Sequence, residues 1–352
     1  MIFLNYINAL RAIAIFFIVA LHTLLAFSWL NTPEQRDVLY IIFGNGTALF
    51  MFISGYLFQH LSFKFDTKRY YLSKLKYVLL PYFVISLPLV LYFVFVSPSW
   101  SATTADPNFL NQPLWLQFIK YYWWGLHLHP MWFIPTLAII YFTGPLLIRG
   151  DRNNFLYWLL PIFILASFVV HRSPFYPTHN FVHFFSIYVL GMLFSKYKNL
   201  INPLLIQNRV LILLTTLFIS ICICQYFSLA PLRAPFYIQK LILTLLILGL
   251  LIKFAQYTQY RFVSVIANTS FGVFFLHAYL IEGIKLVFIY INQQYVTHIN
   301  TSFDGNIAAH LLLTIVILFI SIQFVLFVKS IMGSKTYLLI GNIPSTVNLN
   351  KN

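Results

Sequence analysis

Ile7-Asn8-Ala9-Leu10-Arg11-Ala12-Ile13-Ala14-Ile15-Phe16-Phe17-Ile18-Val19-Ala20-Leu21-His22-Thr23-Leu24-Leu25-Ala26-Phe27-Ser28-Trp29-Leu30 is the stretch on which the fold turns. It is long enough to cross a bilayer, which takes about 20 mostly apolar residues, yet it contains Arg11 and His22. An arginine at the centre of a membrane helix costs roughly 2.5 to 3.5 kcal/mol on insertion scales, and less near an end where it can snorkel. Eleven residues advance a helix by about three turns, so the two side chains share one face, about 16 Å apart along the axis. Ionisable residues in such a span usually face a cavity or a partner.

The rest of the chain is of the same kind. Hydrophobic residues make up 60% of it and charged residues 8%, against about 25% charged in soluble domains. Soluble globular folds are thereby excluded, and an all-α polytopic membrane protein is expected. The apolar segments lie near 7–30, 38–58, 77–97, 131–149, 155–171, 180–195, 208–227, 236–254, 269–291 and 306–329. They predict about ten transmembrane helices in one membrane domain, residues 1–335, with a short tail over 336–352. Proline and polar clusters such as Asn31-Thr32-Pro33-Glu34, Ser97-Pro98-Ser99, Arg172-Ser173-Pro174 and Ala230-Pro231-Leu232-Arg233-Ala234-Pro235 mark the boundaries.

The net charge of +15 reads as topology. With the N-terminus cytoplasmic, fifteen basic residues, among them Lys64, Lys68, Arg69, Lys74, Lys76, Arg149, Lys198 and Lys351, fall in loops on that face or in the C-terminal tail. Only Arg36, Lys120, Arg172, Arg233 and Lys240 fall opposite, and Arg11 and Lys285 lie within spans. This is the positive-inside pattern with both termini cytoplasmic, and it speaks against nucleic acid as a partner. Ala26-Phe27-Ser28 resembles a cleavage site, but the apolar run is too long for a signal peptide and nine more segments follow. Cys222 and Cys224 fall on different sides of one helix and predict neither a disulfide nor a metal site. Loop 97–130 carries Trp115, Tyr121, Tyr122, Trp123 and Trp124 in a helix expected to lie along the membrane surface, as an anchor or as a lid over substrate.

Candidate chemistry follows from depth. His22 lies in the outer third of the first span. The fourth span runs inward from His129-Pro130-Met131-Trp132, which places His129 and Trp132 at about the same level. Neutral imidazole can take a proton from a hydroxyl, which suits acyl transfer. Near the inner boundary, Arg11 lies at the level of Lys74 and Lys76, and Ser54-Gly55 in the second span lets a backbone or ligand approach closely. Basic groups around such a gap suit a phosphorylated ligand. His277 in the ninth span is at mid-membrane. Glu282 and Lys285, three residues apart, read as a mutually neutralising pair. His179 and His183 have the spacing of paired ligands, but no carboxylate or cysteine lies near them, so no metal is expected.

Several of these segments resemble, in order and spacing, the acyltransferase-3 family of integral-membrane acyltransferases. They are Leu10-Arg11-Ala12-Ile13-Ala14 with Arg-x10-His ending at His22, Phe50-Met51-Phe52-Ile53-Ser54-Gly55-Tyr56, Lys76 to Tyr82, His129 to Pro135, Tyr188-Val189-Leu190-Gly191, and Ser270-Phe271-Gly272-Val273-Phe274-Phe275-Leu276-His277. The resemblance implies an enzyme that takes an acyl group, acetyl first and succinyl as the alternative, from acyl-coenzyme A on the cytoplasmic side. The acceptor it implies is a sugar hydroxyl of a surface polysaccharide or lipid-linked glycan, and the site a bacterial plasma membrane, alone or in a glycan-biosynthesis complex, with membrane lipids around it. Acyl-coenzyme A is then a substrate, with no resident cofactor. On this basis Arg11, Lys74, Lys76 and Ser54 are expected at the donor, and His22, together with Arg11, in catalysis. His129, Trp132 and His277 are expected around the acceptor. One departure matters. The family's Arg-x-x-Arg before the Pro-Tyr of the third span is replaced by Lys74 and Tyr77, so a bidentate fork is lost. A rival expectation is a glycan transporter or flippase, which also wants an aromatic, weakly charged cavity.

Overall fold

The computed structural model describes residues 4–173, 175–227, 233–295 and 304–341. Pro174, Ala230-Pro231-Leu232, Lys351 and the tail beyond residue 341 lie outside the described residues. Among those described there is no strand, only an isolated bridge between Ser28 and Asp304. The protein is an all-α polytopic membrane protein.

The first span, α1 (Asn5–Thr23), continues as a 3-10 turn over Leu24–Ala26. The second is broken at Gly44-Asn45 into α2 (Pro33–Phe43) and α3 (Gly46–His60). The third runs from α4 (Thr67–Lys74) through a π-helical turn, Leu75–Leu79, into α5 (Leu80–Phe95). Pro81 has no N–H to give to the preceding turn, which accounts for irregular pairing there. In the loop that follows, α6 (Trp100–Ala105) and α7 (Leu114–Trp124) are held by a Lys120–Asp106 ion pair at 2.7 Å. Helix α7 buries Tyr121 and Tyr122 and exposes Trp115 and Trp123, the two-faced pattern of an interfacial helix.

The fourth span is bent by 53° between a 3-10 turn with α8 (Phe133–Phe142) and α9 (Gly144–Arg152). Then come α10 (Phe155–Trp158), α11 (Leu160–Val169), α12 (Pro177–Lys196), α13 (Lys198–Leu205), α14 (Asn208–Tyr226), α15 (Arg233–Lys253), α16 (Arg261–Tyr295), α17 (Ile307–Met332) and α18 (Tyr337–Ile340). All ten apolar segments are helical. Among the described residues seven of the resulting spans are long and apolar enough to cross a membrane, eight with the bent pair. The other two are α11, whose ten residues reach only about 15 Å, and α12.

Helix α12 is long enough but carries buried Asn180, His183, Ser186 and Ser195. It is an inner helix, and part of its polar surface is paired within the protein: Ser186 bonds both Ser167 and Tyr237, and His183 donates to Ser167 and Val170, while Asn180 Nδ2 and Ser195 Oγ have no partner among the described residues. Its most extensive contact is with α3. There a Cβ on Gly55 would sit 1.9 Å from the Tyr188 carbonyl oxygen, and one on Gly191 2.1 Å from that of Phe52. Two backbones touch where the glycines meet. Helix α1 lies between α16, α3, α17 and α15, with Leu10, Ala14, Ile15 and Val19 fully buried. Thr23 ties it to α17 through His310 and Thr314.

Candidate functional site

At the end of α1 the His22 ring lies between two others, 5.1 Å from that of His129 and 5.3 Å from that of His277, centroid to centroid. Three distant segments supply the cluster. His22 is in the last turn of α1, and His129 opens the 3-10 turn that Pro130 starts. His277 sits inside α16, fully buried. Its Nδ1–H donates to the Val273 carbonyl at 3.0 Å. The lone pair is therefore on Nε2, which has no partner among the described residues. Neither His22 nor His129 has a hydrogen-bond partner there for its ring nitrogens.

Trp132, one turn past His129, is buried and stacks on Phe184 at 5.8 Å. The Arg172 guanidinium lies 4.6 Å from the Trp132 ring centroid. His22 and His129 open onto a cavity of about 430 Å³ whose wall also carries Arg36, Arg172, Gln239 and Lys240. His277 is not on that wall and meets the cavity only through His22. An imidazole pair at a polar opening, backed by a third imidazole with a fixed tautomer, can accept a proton from a bound hydroxyl and pass it on.

The residues expected at the donor are more scattered. Arg11 is half-buried, three turns below His22 on α1, with no hydrogen bond or ion pair among the described residues. The Lys74 ammonium lies over Tyr141 at 4.4 Å and Tyr70 at 5.4 Å. Lys76 is exposed, lies 4.2 Å from the Tyr337 ring, and lines a separate cavity of about 440 Å³ with Lys68, Arg69, Ser73 and Tyr77. Lys74 is not on that wall, so the two lysines face different surroundings. The gap beside Ser54 is filled: Gly55 is pressed against the α12 backbone, which leaves no room there for a ligand. Ser54 itself is half-buried and makes no side-chain hydrogen bond among the described residues. Tyr77, where the family places its second arginine, packs edge-on against Tyr337 at 5.8 Å.

Glu282 and Lys285 pair at 2.9 Å, as their spacing predicts. His183 donates to backbone carbonyls, and His179 lies against Tyr176. Cys222 and Cys224 are free thiols. Among the described residues no group of three His, Cys, Asp or Glu side chains could hold a metal ion. Arg172, Lys240 and Gln239 were not read as site residues from sequence. For Arg172 and Lys240 the sequence signal is that basic residues are rare on their face of the membrane, which gives each more weight than a loop lysine among many; uncharged Gln239 carries no such signal.

A family model for an acyltransferase domain matches residues 4–328, nearly the whole chain. No curated protein matches it and no solved structure does. The match runs from before Arg11 through all three clustered histidines: the chain belongs to the acyltransferase-3 family and is a membrane acyltransferase.

Proposed function

We propose that the protein moves an acetyl group from acetyl-coenzyme A, taken up at the end bearing the basic loops, to a sugar hydroxyl at the other end. The acceptor is a surface polysaccharide or lipid-linked glycan, and the membrane a bacterial plasma membrane. One observation carries the reading: His22 lies between His129 and His277 at a polar cavity, while Arg11 on the same helix has no hydrogen bond or ion pair among the described residues. The rise between Arg11 and His22, about 16 Å, suits a long donor whose phosphates stay near Arg11 while its thioester reaches the histidines. Lys76 and its neighbours supply further positive charge at the mouth; without an arginine fork they meet a phosphate as point charges.

In the transfer, His22 takes the proton of the acceptor hydroxyl as its oxygen attacks the thioester carbonyl. The C–S bond breaks, the imidazolium returns the proton to the departing thiolate, and an O-acyl ester and free coenzyme A leave. His277, whose Nε2 is a free acceptor, steadies the proton on the pair, and His129 with Trp132 shapes the acceptor side. A well-placed general base contributes about 10² to 10⁴ in rate. His22→Ala is therefore expected to lower release of coenzyme A from acetyl-coenzyme A in the presence of glycan by about 100-fold or more, with normal expression and insertion. Wild-type product levels in that variant would sink the role of His22. If the wild-type protein releases no coenzyme A with glycan present while glycan crosses the membrane, a transporter is the better reading. Succinyl-coenzyme A run in parallel identifies the acyl group.

A further inference from the structure

Basic residues are few on the face where His22 opens, and most of them gather in one place. Lys120 is neutralised by Asp106 at 2.7 Å. Arg36, Arg172 and Lys240 all line the 430 Å³ cavity beside His22 and His129. Arg36 comes within 3.9 Å of Asp37, with both side chains more than half exposed. Arg172 and Lys240 have no carboxylate partner among the described residues: the guanidinium rests on Trp132, and the ammonium donates to the Phe236 carbonyl at 3.2 Å. Among the described residues no aspartate or glutamate lines the cavity.

Two like charges in a half-enclosed cavity repel each other and are poorly hydrated, a cost that an opposite charge removes. The other acids of the chain are off this wall, and Glu282, near enough to act on His129, is already paired with Lys285. Asp151 is held by Lys196, and Asp304 accepts from Asn31. Asp66 caps α4, and Glu34 is exposed at the start of α2. Packing of Arg172 on Trp132 would explain that arginine as a pin, but not Lys240 at the same wall. Gln239 adds the complementary feature. Its Nε2 donates to the Ile41 carbonyl, and its buried Oε1 has no partner among the described residues, leaving it able to accept from a hydroxyl.

We infer that this cavity is an oxyanion subsite for the acceptor: the sugar acylated here carries a phosphate or a carboxylate, which Arg172 and Lys240 hold while a hydroxyl is presented to His22. The inference rests on the reading of the His22 end as the acceptor side. Arg36, at the rim, adds attraction that salt screens.

The test uses the full-length protein in lipid nanodiscs, melted at fixed ionic strength with inorganic phosphate, glucuronate, glucose or acetyl-coenzyme A. Phosphate, glucuronate or both are expected to raise the melting temperature, and glucose is not. Lys240→Gln and Arg172→Gln should each weaken the anion response about tenfold while leaving the acetyl-coenzyme A response in place. Arg172→Lys, which keeps the charge, should retain most of it and covers the case in which Arg172→Gln fails to fold. A response to glucuronate alone assigns a carboxylate, and to phosphate alone a phosphate. The inference is overturned if the anions act no differently from chloride, an adventitious ion effect only, or if Lys240→Gln responds as wild type does. Loss of the acetyl-coenzyme A response in Lys240→Gln would overturn it too, because the cavity would then hold the donor's phosphates. A wild-type protein that responds to anion but never to acetyl-coenzyme A would instead sink the donor assignment and leave the subsite standing.

Discussion

The histidines of this bundle differ in what holds their ring nitrogens. His310 donates to Ala20, His183 to Ser167 and Val170, and His277 to Val273. His127 is clamped between the Ser86 hydroxyl and the Tyr121 carbonyl. At the cavity, His22 and His129 have no hydrogen-bond partner for their rings among the described residues and lie against each other, with His277 behind His22. Sequence depth was enough to single out Arg11, His22 and His129, because an ionisable group within an apolar run is costly wherever it points. It could not single out Arg172 or Lys240, which lie at span boundaries where cations are ordinary. What sets them apart is the lack of a carboxylate nearby, and that exists only in three dimensions. Of the fixed histidines, His127 in the loop after α7 gives a direct pH test. Burial pushes its imidazole down to about 4, below the ordinary 6.5 of the unfolded chain. The unfolded chain then binds the extra proton first, so stability is full above pH 6.5 and is lost as pH falls toward 4, by up to about 3 kcal/mol. The detergent-solubilised protein should melt progressively lower from pH 7 to pH 4.5, and His127→Gln, starting lower, should show a flatter profile. An equally steep profile in the variant would show that other groups dominate.

At the scale of elements, apolar runs located the long helices but not the short polar ones such as α4, α6 and α13, and breaks and crossings depended on contacts. A hydropathy window cannot tell that the second span breaks at Gly44-Asn45, or that His183 and Ser186 of α12 are paired inside the bundle rather than marking a loop. Ser54-Gly55 shows the limit most clearly. A small-residue gap predicts close approach, but only the partner shows whether a ligand or a helix fills it, and here it is the backbone of α12 at Tyr188. That contact has a measurable consequence. The atoms facing both glycines are backbone carbonyl oxygens, which cannot swing aside as a side chain would, so an added methyl must push the helices apart. Overpacking typically costs 1 to 3 kcal/mol and more where relaxation is blocked. Gly55→Ala and Gly191→Ala should therefore each lower the melting temperature and the yield of folded protein on size-exclusion chromatography. Gly283→Ala, with nothing within 4 Å of its added carbon, should be neutral or gain up to about 1 kcal/mol of helix propensity. If all three melt with the wild type, the α3–α12 crossing is looser than the contact implies.

At the scale of the whole molecule, everything proposed about donor and acceptor depends on which end faces the cytoplasm. Orientation follows from electrostatics. With basic residues concentrated at one end, each within reach of an anionic leaflet gains about 1 kcal/mol, and loop cations bias insertion toward retention on the cytoplasmic side. Contacts between distant segments gather that charge further: Lys196 bonds Asp151 across α12 and α9, and Lys74 lies over Tyr141 of α8. Lys68 is exposed at this end, and Thr104 is exposed in the loop at the other. In a chain with Cys222 and Cys224 replaced by alanine, Thr104→Cys should react with a membrane-impermeant maleimide on intact cells. Lys68→Cys should react only after permeabilisation. The reverse pattern would put Arg11 at the outer face, where coenzyme A is not supplied, and His22 toward the cytoplasm. The donor assignment of Arg11 would then fall, and the cationic cavity at Arg172 and Lys240 would become the better seat for the coenzyme A phosphates. Labelling these two positions thus decides between the two ends of the bundle before any acceptor is known.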